Sequence, residues 1–256
     1  MRVVKSTYYS NWGDLFGYKI AHFLLPLAVR IPFLTPNIVT LVSFTSFTLG
    51  SIFLLFPYPL KAIGGLMIVA GYIGDDLDGQ LARTTKKYSI IGDYLDKVLD
   101  IVKIFVITFF AGLSVYLTSG NVLFIVLGFI SAFFFMLRYY IKLETMFSSI
   151  SRDEKYLEKS AERRGELEHK MDLLYAKKPE SVLEFFSILW VKMRTIFFVD
   201  EAEFAIFVAV GAFFNAVWIS LWVIVLAQVI IAVWRGFERG YQLTTNSNRL
   251  LHPLRK

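Results

Sequence analysis

Two acidic stretches adjoin long apolar segments: Asp75-Asp76-Leu77-Asp78-Gly79-Gln80-Leu81-Ala82-Arg83 and, after eight further residues, Gly92-Asp93-Tyr94-Leu95-Asp96-Lys97-Val98-Leu99-Asp100. Carboxylates beside hydrocarbon are costly, so this many of them point to a function rather than to packing. A bound divalent cation would offset that cost and would indicate chemistry on a phosphate.

The spacing of these aspartates places them on shared helix faces. Asp75 and Asp78 are three residues apart, and Asp96 and Asp100 are four apart, so each pair lies on one side of a helix. If the two helices are antiparallel neighbours, these four carboxylates surround one pocket. They would repel one another, and hard cations such as Mg²⁺ or Mn²⁺ would relieve that repulsion because carboxylate oxygens suit them.

Small and basic residues follow the first aspartate pair. Gly79 and Ala82 would let a bulky ligand approach the helix backbone. Arg83 would lie at the membrane surface, where a guanidinium binds phosphate well. Asp76 and Asp93 fall outside the shared faces, and we interpret them as interfacial carboxylates that are solvated or paired with a nearby lysine.

The composition is typical of a membrane protein. Of 256 residues, 56% are hydrophobic and 25 are Phe, and the mean hydropathy is +0.56, which suits a chain that faces lipid. The net charge of +6 lies mainly in loops, where it orients the chain and attracts anionic headgroups. No basic patch interleaved with exposed aromatics indicates nucleic acid as a partner. The absence of cysteine excludes disulfides, thiolate catalysis and zinc–thiolate sites.

The apolar segments predict an all-α integral membrane protein with a single domain over residues 1–256. Runs of roughly 20 apolar residues are long enough to cross a bilayer. The six predicted transmembrane helices are residues 37–56, 60–83, 92–117, 122–142, 202–215 and 216–234. Residues 12–34 contain Lys19, Arg30 and two prolines, which predicts an N-terminal amphipathic helix in the headgroup layer rather than a span.

Residues 147–180 differ from the rest of the chain. Their charges alternate in sign at helical spacing beside a thin apolar stripe, which predicts a solvated, charged helical arm; a regulatory or partner-binding arm is the alternative. The turns at 57–61, 118–121 and near 215 hold only Lys61, whereas the opposite side holds the arm and the basic tail. The positive-inside rule therefore places the arm, both termini and the aspartates at the cytoplasmic face.

The spacing of these residues resembles the complete signature of the CDP-alcohol phosphotransferases. The pattern is Asp75-x-x-Asp78-Gly79-x-x-Ala82-Arg83, eight residues, then Gly92-x-x-x-Asp96-x-x-x-Asp100. The six-span layout and the Thr35-Pro36-Asn37 start of the first span are also similar to that family. The signature covers only residues 75–100. The resemblance implies an enzyme that takes a CDP-linked donor and an alcohol and releases CMP.

The resemblance also implies roles for single residues. Two divalent cations, Mg²⁺ or Mn²⁺, would bridge the donor diphosphate, and their ligands would be Asp75, Asp78, Asp96 and Asp100. The catalytic residues would be Asp100, as the general base, and Asp96. The nucleotide and phosphate side would be lined by Gly79, Ala82 and Arg83, with Asn37 and Thr40 nearby. The family is commonly dimeric, which implies a homodimer.

Basic residues on later segments are candidates for contacts with the acceptor or a lipid headgroup: Arg138, Lys142, Lys192 and Arg194. They would equally well anchor helices at the interface by snorkelling. Family members with polar acceptors often carry a basic stretch after the fourth span. Here residues 140–144 keep Lys142 but add Glu144, which argues against a phosphorylated acceptor.

Three functions remain open. The favoured one uses CDP-diacylglycerol as donor and an alcohol as acceptor in phospholipid biosynthesis. The second uses a CDP-amino-alcohol or CDP-polyol donor and a diacylglycerol-like acceptor, which the long charged arm would suit. The third is a cation transporter with the aspartates as its pathway. It is disfavoured because the carboxylates cluster at one membrane face and no charged residues continue across.

Overall fold

The chain folds into α-helices. The computed structural model describes residues 12–87, 90–153 and 199–244 together with positions 155, 156, 158 and 162. Within these residues there is no β-strand, which confirms the all-α prediction. The helices of this part of the chain are α1 Trp12–Val29, α2 Pro36–Phe53, α3 Leu60–Thr85, α4 Ile90–Ser119, α5 Leu123–Arg152, α6 Glu201–Phe213 and α7 Val217–Thr244.

The early helices lie close to their predicted positions, whereas α5 is longer than expected. We predicted that the fourth span ends at Lys142, but α5 continues to Arg152. No proline or glycine interrupts residues 143–152. The hydroxyl groups of Thr145 and Ser149 donate to carbonyls one turn earlier within the helix. The first residues of the predicted charged arm, 147–152, therefore belong to α5, and most of the arm lies outside the described residues.

Four of the helices are long and apolar enough to cross a membrane: α2, α4, α5 and α7. Helix α3 is long but carries Lys61, Arg83 and the aspartates. Helix α6 has only 13 residues, fewer than the roughly 20 that a perpendicular span requires. The count of six spans therefore stays a prediction.

Helix α1 ends at Val29, five residues before the predicted end at residue 34, and includes Pro26. Leu25 and Ala28 are buried in one apolar cluster with Val39 of α2 and Leu81 of α3. The exposed side of α1 is also apolar at positions such as Phe23. Because apolar residues occur on both faces, the predicted location in the headgroup layer stays a prediction.

The chain divides into two compact units. One consists of residues 11–135 and 199–229 and contains α1 to α4, α6 and the first parts of α5 and α7. The described residues of the other unit include the last parts of α5 and α7, from residues 136 and 230 onward. The predicted site aspartates all belong to the first unit.

Helices α2 and α3 pack tightly and antiparallel. A Cβ at Gly64 would lie 2.6 Å from the carbonyl oxygen of Gly50, and a Cβ at Gly71 would lie 2.7 Å from that of Ser43. Later residues of α3 therefore contact earlier residues of α2, as in an antiparallel pair. The backbones are so close that the glycine positions have no room for side chains. This packing brings the acidic end of α3 beside the first turns of α2.

Helices α4 and α6 complete the arrangement around α3. Ser114, near the end of α4, donates a 2.5 Å hydrogen bond to the carbonyl of Leu54, which caps the end of α2 and precedes the start of α3 by six residues. A Cβ at Gly65 of α3 would lie 2.9 Å from the carbonyl oxygen of Ala209 in α6. The first halves of α4 and α6 are thus level with the acidic second half of α3.

We predict that Gly64→Ala lowers the free energy of unfolding by about 1–3 kcal/mol, because the new methyl group overlaps the α2 backbone. The matched control is Gly240→Ala, where a Cβ meets nothing within 4 Å and alanine favours a helix. Unfolding by SDS in mixed micelles, followed by circular dichroism, measures both. Equal stability of Gly64→Ala and the unsubstituted protein would contradict the described α2–α3 packing.

Candidate functional site

Three carboxylates from three helices meet in the first compact unit. Asp75 comes from α3, Asp100 from α4 and Glu201 from the first turn of α6, and one carboxylate oxygen of each lies within 4.8 Å of the others. Asp100 is buried, and the other two are half-buried. The predicted meeting of Asp75 with Asp100 is therefore observed, and Glu201 joins them from a helix more than a hundred residues further along the chain.

A buried lysine joins two of these carboxylates. Lys103 of α4 donates to Asp75 Oδ1 at 2.6 Å and to Asp100 Oδ1 at 2.9 Å. Its side chain is only 8% exposed, so solvent screens these ion pairs weakly. The ammonium group offsets part of the repulsion among the carboxylates and links α3 to α4.

Asp78 lies one turn after Asp75 on α3 and is 7% exposed. The hydroxyl group of Thr40 on α2 donates a 2.5 Å hydrogen bond to Asp78 Oδ2. The sequence placed Thr40 near the site, and the structure gives it this contact. Helix α2 therefore orients a carboxylate of α3 through a charge-assisted hydrogen bond.

Asp96 lies one turn before Asp100 on α4 and is half-exposed. Its Oδ2 lies 2.6 Å from Lys97 Nζ, which is also 3.9 Å from Asp100 Oδ2. Neither Asp96 nor Asp78 belongs to the group of three carboxylates described above. Their predicted roles as metal ligands stay predictions.

The other predicted residues of the nucleotide side lie at the same end of α2 and α3. Arg83 is exposed, and its guanidinium nitrogens lie 3.4 and 3.5 Å from the position of a Cβ at Gly79. Ala82 is half-buried, and Asn37 is exposed in the first turn of α2, one turn before Thr40. These residues adjoin the carboxylates in sequence and in the helices, and their ligand contacts stay predictions.

The roles of the candidate acceptor residues stay predictions. Arg138 and Lys142 are half-buried on the part of α5 that belongs to the second compact unit. The ammonium of Lys142 lies 5.3 Å from the ring centroid of Tyr139, within the range of a cation–π contact. Lys192 and Arg194 lie outside the described residues.

Asp76, predicted to be an interfacial carboxylate that is solvated or paired with Lys86 or Lys87, places one of its oxygens against α1, and the predicted solvation or pairing stays a prediction. Its Oδ2 is buried and lies beside Gly17 of α1, where a Cβ would collide with it. Gln80, one turn later, donates to the carbonyl of Tyr18 at 3.1 Å. Helix α1 thus covers one oxygen of Asp76, whose side chain as a whole is half-buried. The Asp93 side chain lies outside the described residues.

Lys103 and Glu201 are the site residues that our sequence reasoning missed. Lys103 follows Asp100 by three residues, so helical spacing alone could have placed it on the aspartate face. Glu201 offers no comparable signal, because only tertiary packing brings α6 to α3 and α4.

The residues present fit a divalent cation. Carboxylate oxygens are the ligands that Mg²⁺ and Mn²⁺ prefer, and three helices supply them within 4.8 Å. The position of the Lys103 ammonium on two of these carboxylates indicates that this pocket favours positive charge.

Comparison with known proteins identifies similar sequences and folds. A family model described as CDP-alcohol phosphatidyltransferase matches residues 33–165. The structure is similar to that of Mycobacterium tuberculosis phosphatidylinositol phosphate synthase (PgsA1), solved with CDP-DAG bound. The match has a TM-score of 0.54 at 18% identity and covers 88% of this chain and 94% of that chain. At this identity the likeness establishes the fold alone. No curated protein matches the chain.

We predict that Thr40→Val lowers the free energy of unfolding by about 1.5–3 kcal/mol, because it leaves Asp78 Oδ2 without this donor. Thr45→Val is the matched control, since the exposed Thr45 hydroxyl donates to the carbonyl of Leu41 within α2. We expect it to change stability by no more than about 0.5 kcal/mol. SDS unfolding in micelles compares the two variants. Equal losses of unfolding free energy in the two variants would mean that the hydrogen bond to Asp78 does not contribute to stability.

Proposed function

The chain belongs to the CDP-alcohol phosphatidyltransferase family, and from this we propose that it transfers a phosphatidyl group from CDP-diacylglycerol to the hydroxyl of an alcohol, with release of CMP. It is a transferase of phospholipid synthesis and an integral membrane protein. The observation that carries the proposal is the meeting of Asp75 and Asp100, from both halves of the family signature, in one cluster of carboxylates.

Two considerations support CDP-diacylglycerol as the donor. The similar Mycobacterium tuberculosis enzyme was solved with CDP-DAG bound. In addition, the helices that carry the carboxylates expose large apolar side chains, among them Ile63 and Leu66 on α3 and Val102 and Phe105 on α4. In a bilayer these surfaces face lipid, so a donor with two acyl chains would reach the pocket laterally while its diphosphate stays at the polar rim.

The carboxylates would hold the divalent cations on which this family generally depends. In our proposal two ions, Mg²⁺ or Mn²⁺, are bound by Asp75, Asp78, Asp96 and Asp100. When bound, such ions neutralise the donor diphosphate and stabilise the charge of the departing CMP. Arg83 and the small residues Gly79 and Ala82 then bind the nucleotide and phosphate side, with Asn37 and Thr40 beside them.

The reaction needs one proton transfer and one phosphorus–oxygen exchange. The acceptor hydroxyl oxygen attacks the phosphorus that carries diacylglycerol, and the bond from that phosphorus to the oxygen of CMP breaks. Asp100 accepts the hydroxyl proton as general base. Buried beside Lys103, Asp100 is held in a fixed orientation, which favours a defined line of attack.

The orientation, the oligomeric state and the acceptor contacts are carried forward from the sequence as proposals. We propose that the active site and both termini are cytoplasmic and that the protein is a homodimer. Contacts to the acceptor or headgroup are proposed for Arg138, Lys142, Lys192 and Arg194.

We predict that purified protein in mixed micelles releases CMP from CDP-diacylglycerol when Mg²⁺ or Mn²⁺ and a suitable alcohol are present. The panel of acceptors covers a polyol, an amino alcohol and a phosphorylated polyol. Asp100→Asn should lower kcat by about 10²–10⁴-fold, because the general base is lost, and chelation of the divalent cation should abolish turnover. Glu158→Gln, which alters an exposed carboxylate, is the control and should retain full activity.

The same assay separates the competing functions. Release of CMP only from a CDP-amino-alcohol or CDP-polyol with a diacylglycerol acceptor would identify the second function. Divalent cation flux into proteoliposomes without any nucleotide turnover would favour transport. Full activity of Asp100→Asn would contradict its role as base.

We predict that Arg83→Ala raises the KM for CDP-diacylglycerol by about tenfold or more, because a charge-assisted contact to phosphate contributes roughly 1.5–3 kcal/mol. Arg83→Lys should recover part of this loss. Lys87→Ala, which removes an exposed positive charge four residues later, is the control for general surface charge. Initial rates of CMP release against donor concentration provide the measurement. A KM that changes equally in both variants would show that Arg83 makes no specific contact.

A further inference from the structure

A lysine inside a carboxylate pocket is not part of the family signature, which ends at Asp100. Lys103 nevertheless contacts two members of this carboxylate cluster, Asp75 Oδ1 and Asp100 Oδ1, at 2.6 and 2.9 Å. A buried ammonium group is costly unless it is paired, and here both partners are residues that would hold a divalent cation. The ammonium group and a divalent cation would therefore bind the same carboxylate oxygens.

Glu201 also lies outside the signature, and outside the matched residues 33–165. One oxygen of its carboxylate lies within 4.8 Å of oxygens of Asp75 and Asp100, the two carboxylates that Lys103 contacts. Three carboxylates and one ammonium leave a formal charge of −2 in the group, which one divalent cation would balance. Glu201 thus restores the negative charge that Lys103 removes.

We propose that Lys103 and Glu201 are an opposed charge pair that sets the divalent-cation affinity of the site, with Lys103 as the competing cation and Glu201 as its counter-charge. Lys103 is also a positioning residue, because its ammonium holds the carboxylates of Asp75 and Asp100 in one orientation across α3 and α4. This role of Lys103 and Glu201 rests on the proposed function in one respect: the carboxylates must bind a divalent cation.

The physical argument is a competition for oxygen atoms. A divalent cation that ligates Asp75 Oδ1 or Asp100 Oδ1 must either displace the ammonium or bind beside it, and like charges at such distances repel strongly in a poorly solvated pocket. Removing the ammonium should therefore strengthen cation binding while it releases the two carboxylates from their fixed positions. A lysine that only stabilised the fold would not strengthen cation binding when removed.

The test measures Mn²⁺ binding to the purified full chain in micelles without nucleotide, from the electron paramagnetic resonance signal of free Mn²⁺. Lys103→Met should lower the Kd for Mn²⁺ by about tenfold, and Glu201→Gln should raise it by about tenfold, as expected for a charge that adjoins a metal site. The double variant should have a Kd between those of the two single variants, because the two charge changes oppose each other. Lys103→Arg, which keeps the charge, should not tighten binding.

A second buried lysine provides the matched control. Lys61 is also buried in α3 and donates to Asn215 Oδ1 at 3.2 Å. It lies 14 residues from Asp75, which is about 21 Å along a helix. Lys61→Met should leave the Kd for Mn²⁺ unchanged. A turnover assay adds a second readout: in Lys103→Met kcat should fall about tenfold or more, as for other misplaced catalytic groups, with little change in the KM for the donor.

Several results would overturn the inference. They are unchanged or weaker Mn²⁺ binding by Lys103→Met, equal tightening in Lys61→Met, unchanged binding by Glu201→Gln, or no Mn²⁺ binding by the unsubstituted protein. If Lys103→Met does not fold, Glu201→Gln and Lys103→Arg still decide the outcome, because weaker binding by the first and no tightening by the second are both required. Failure of the proposed function is distinguishable, since it appears as absent CMP release whatever the Mn²⁺ affinities are.

Discussion

Charge compensation between α3 and α4 is the interaction on which the rest of the site depends. Asp75 and Asp100 are drawn together although they repel one another, because the Lys103 ammonium lies between them. Breaking such a buried network by removing one partner is far more costly than its net contribution to stability. The network therefore holds both halves of the signature in register, and the tight α2–α3 contact at Gly50 and Gly64 gives α3 a rigid support.

The functional pocket is assembled from more of the chain than the family match covers. Residues 33–165 include α2, α3 and α4, which supply the signature aspartates and Thr40. Glu201 comes from α6, which lies beyond that match. In our proposal the signature helices provide the groups for the shared chemistry, and Glu201 of α6 adjusts the charge around them. A pocket built in this way can change its cation affinity without any change in the signature.

Local patterns predicted the helices and much of the site, whereas tertiary packing decided the rest. The ends of α2 to α4 followed from breakers such as Pro57, and the shared faces of the aspartates followed from helical spacing. Helix α5 extended past Lys142 because nothing in the sequence stops it. The burial of one Asp76 oxygen depends on α1, and the place of Glu201 depends on α6. Neither contact is associated with a periodic pattern in the sequence, so neither could be predicted from helical spacing.

The close glycine contacts have a consequence for sequence divergence. At Gly50, Gly64 and Gly71 the neighbouring backbone leaves no space for any side chain, so these positions admit few replacements. Positions that face lipid are under much weaker selection, because acyl chains do not distinguish Leu from Ile, Val or Phe. A chain of this kind can exchange most of its apolar residues while its backbone path persists. A fold held by a few such backbone contacts is compatible with the 18% identity and the TM-score of 0.54 between the two chains.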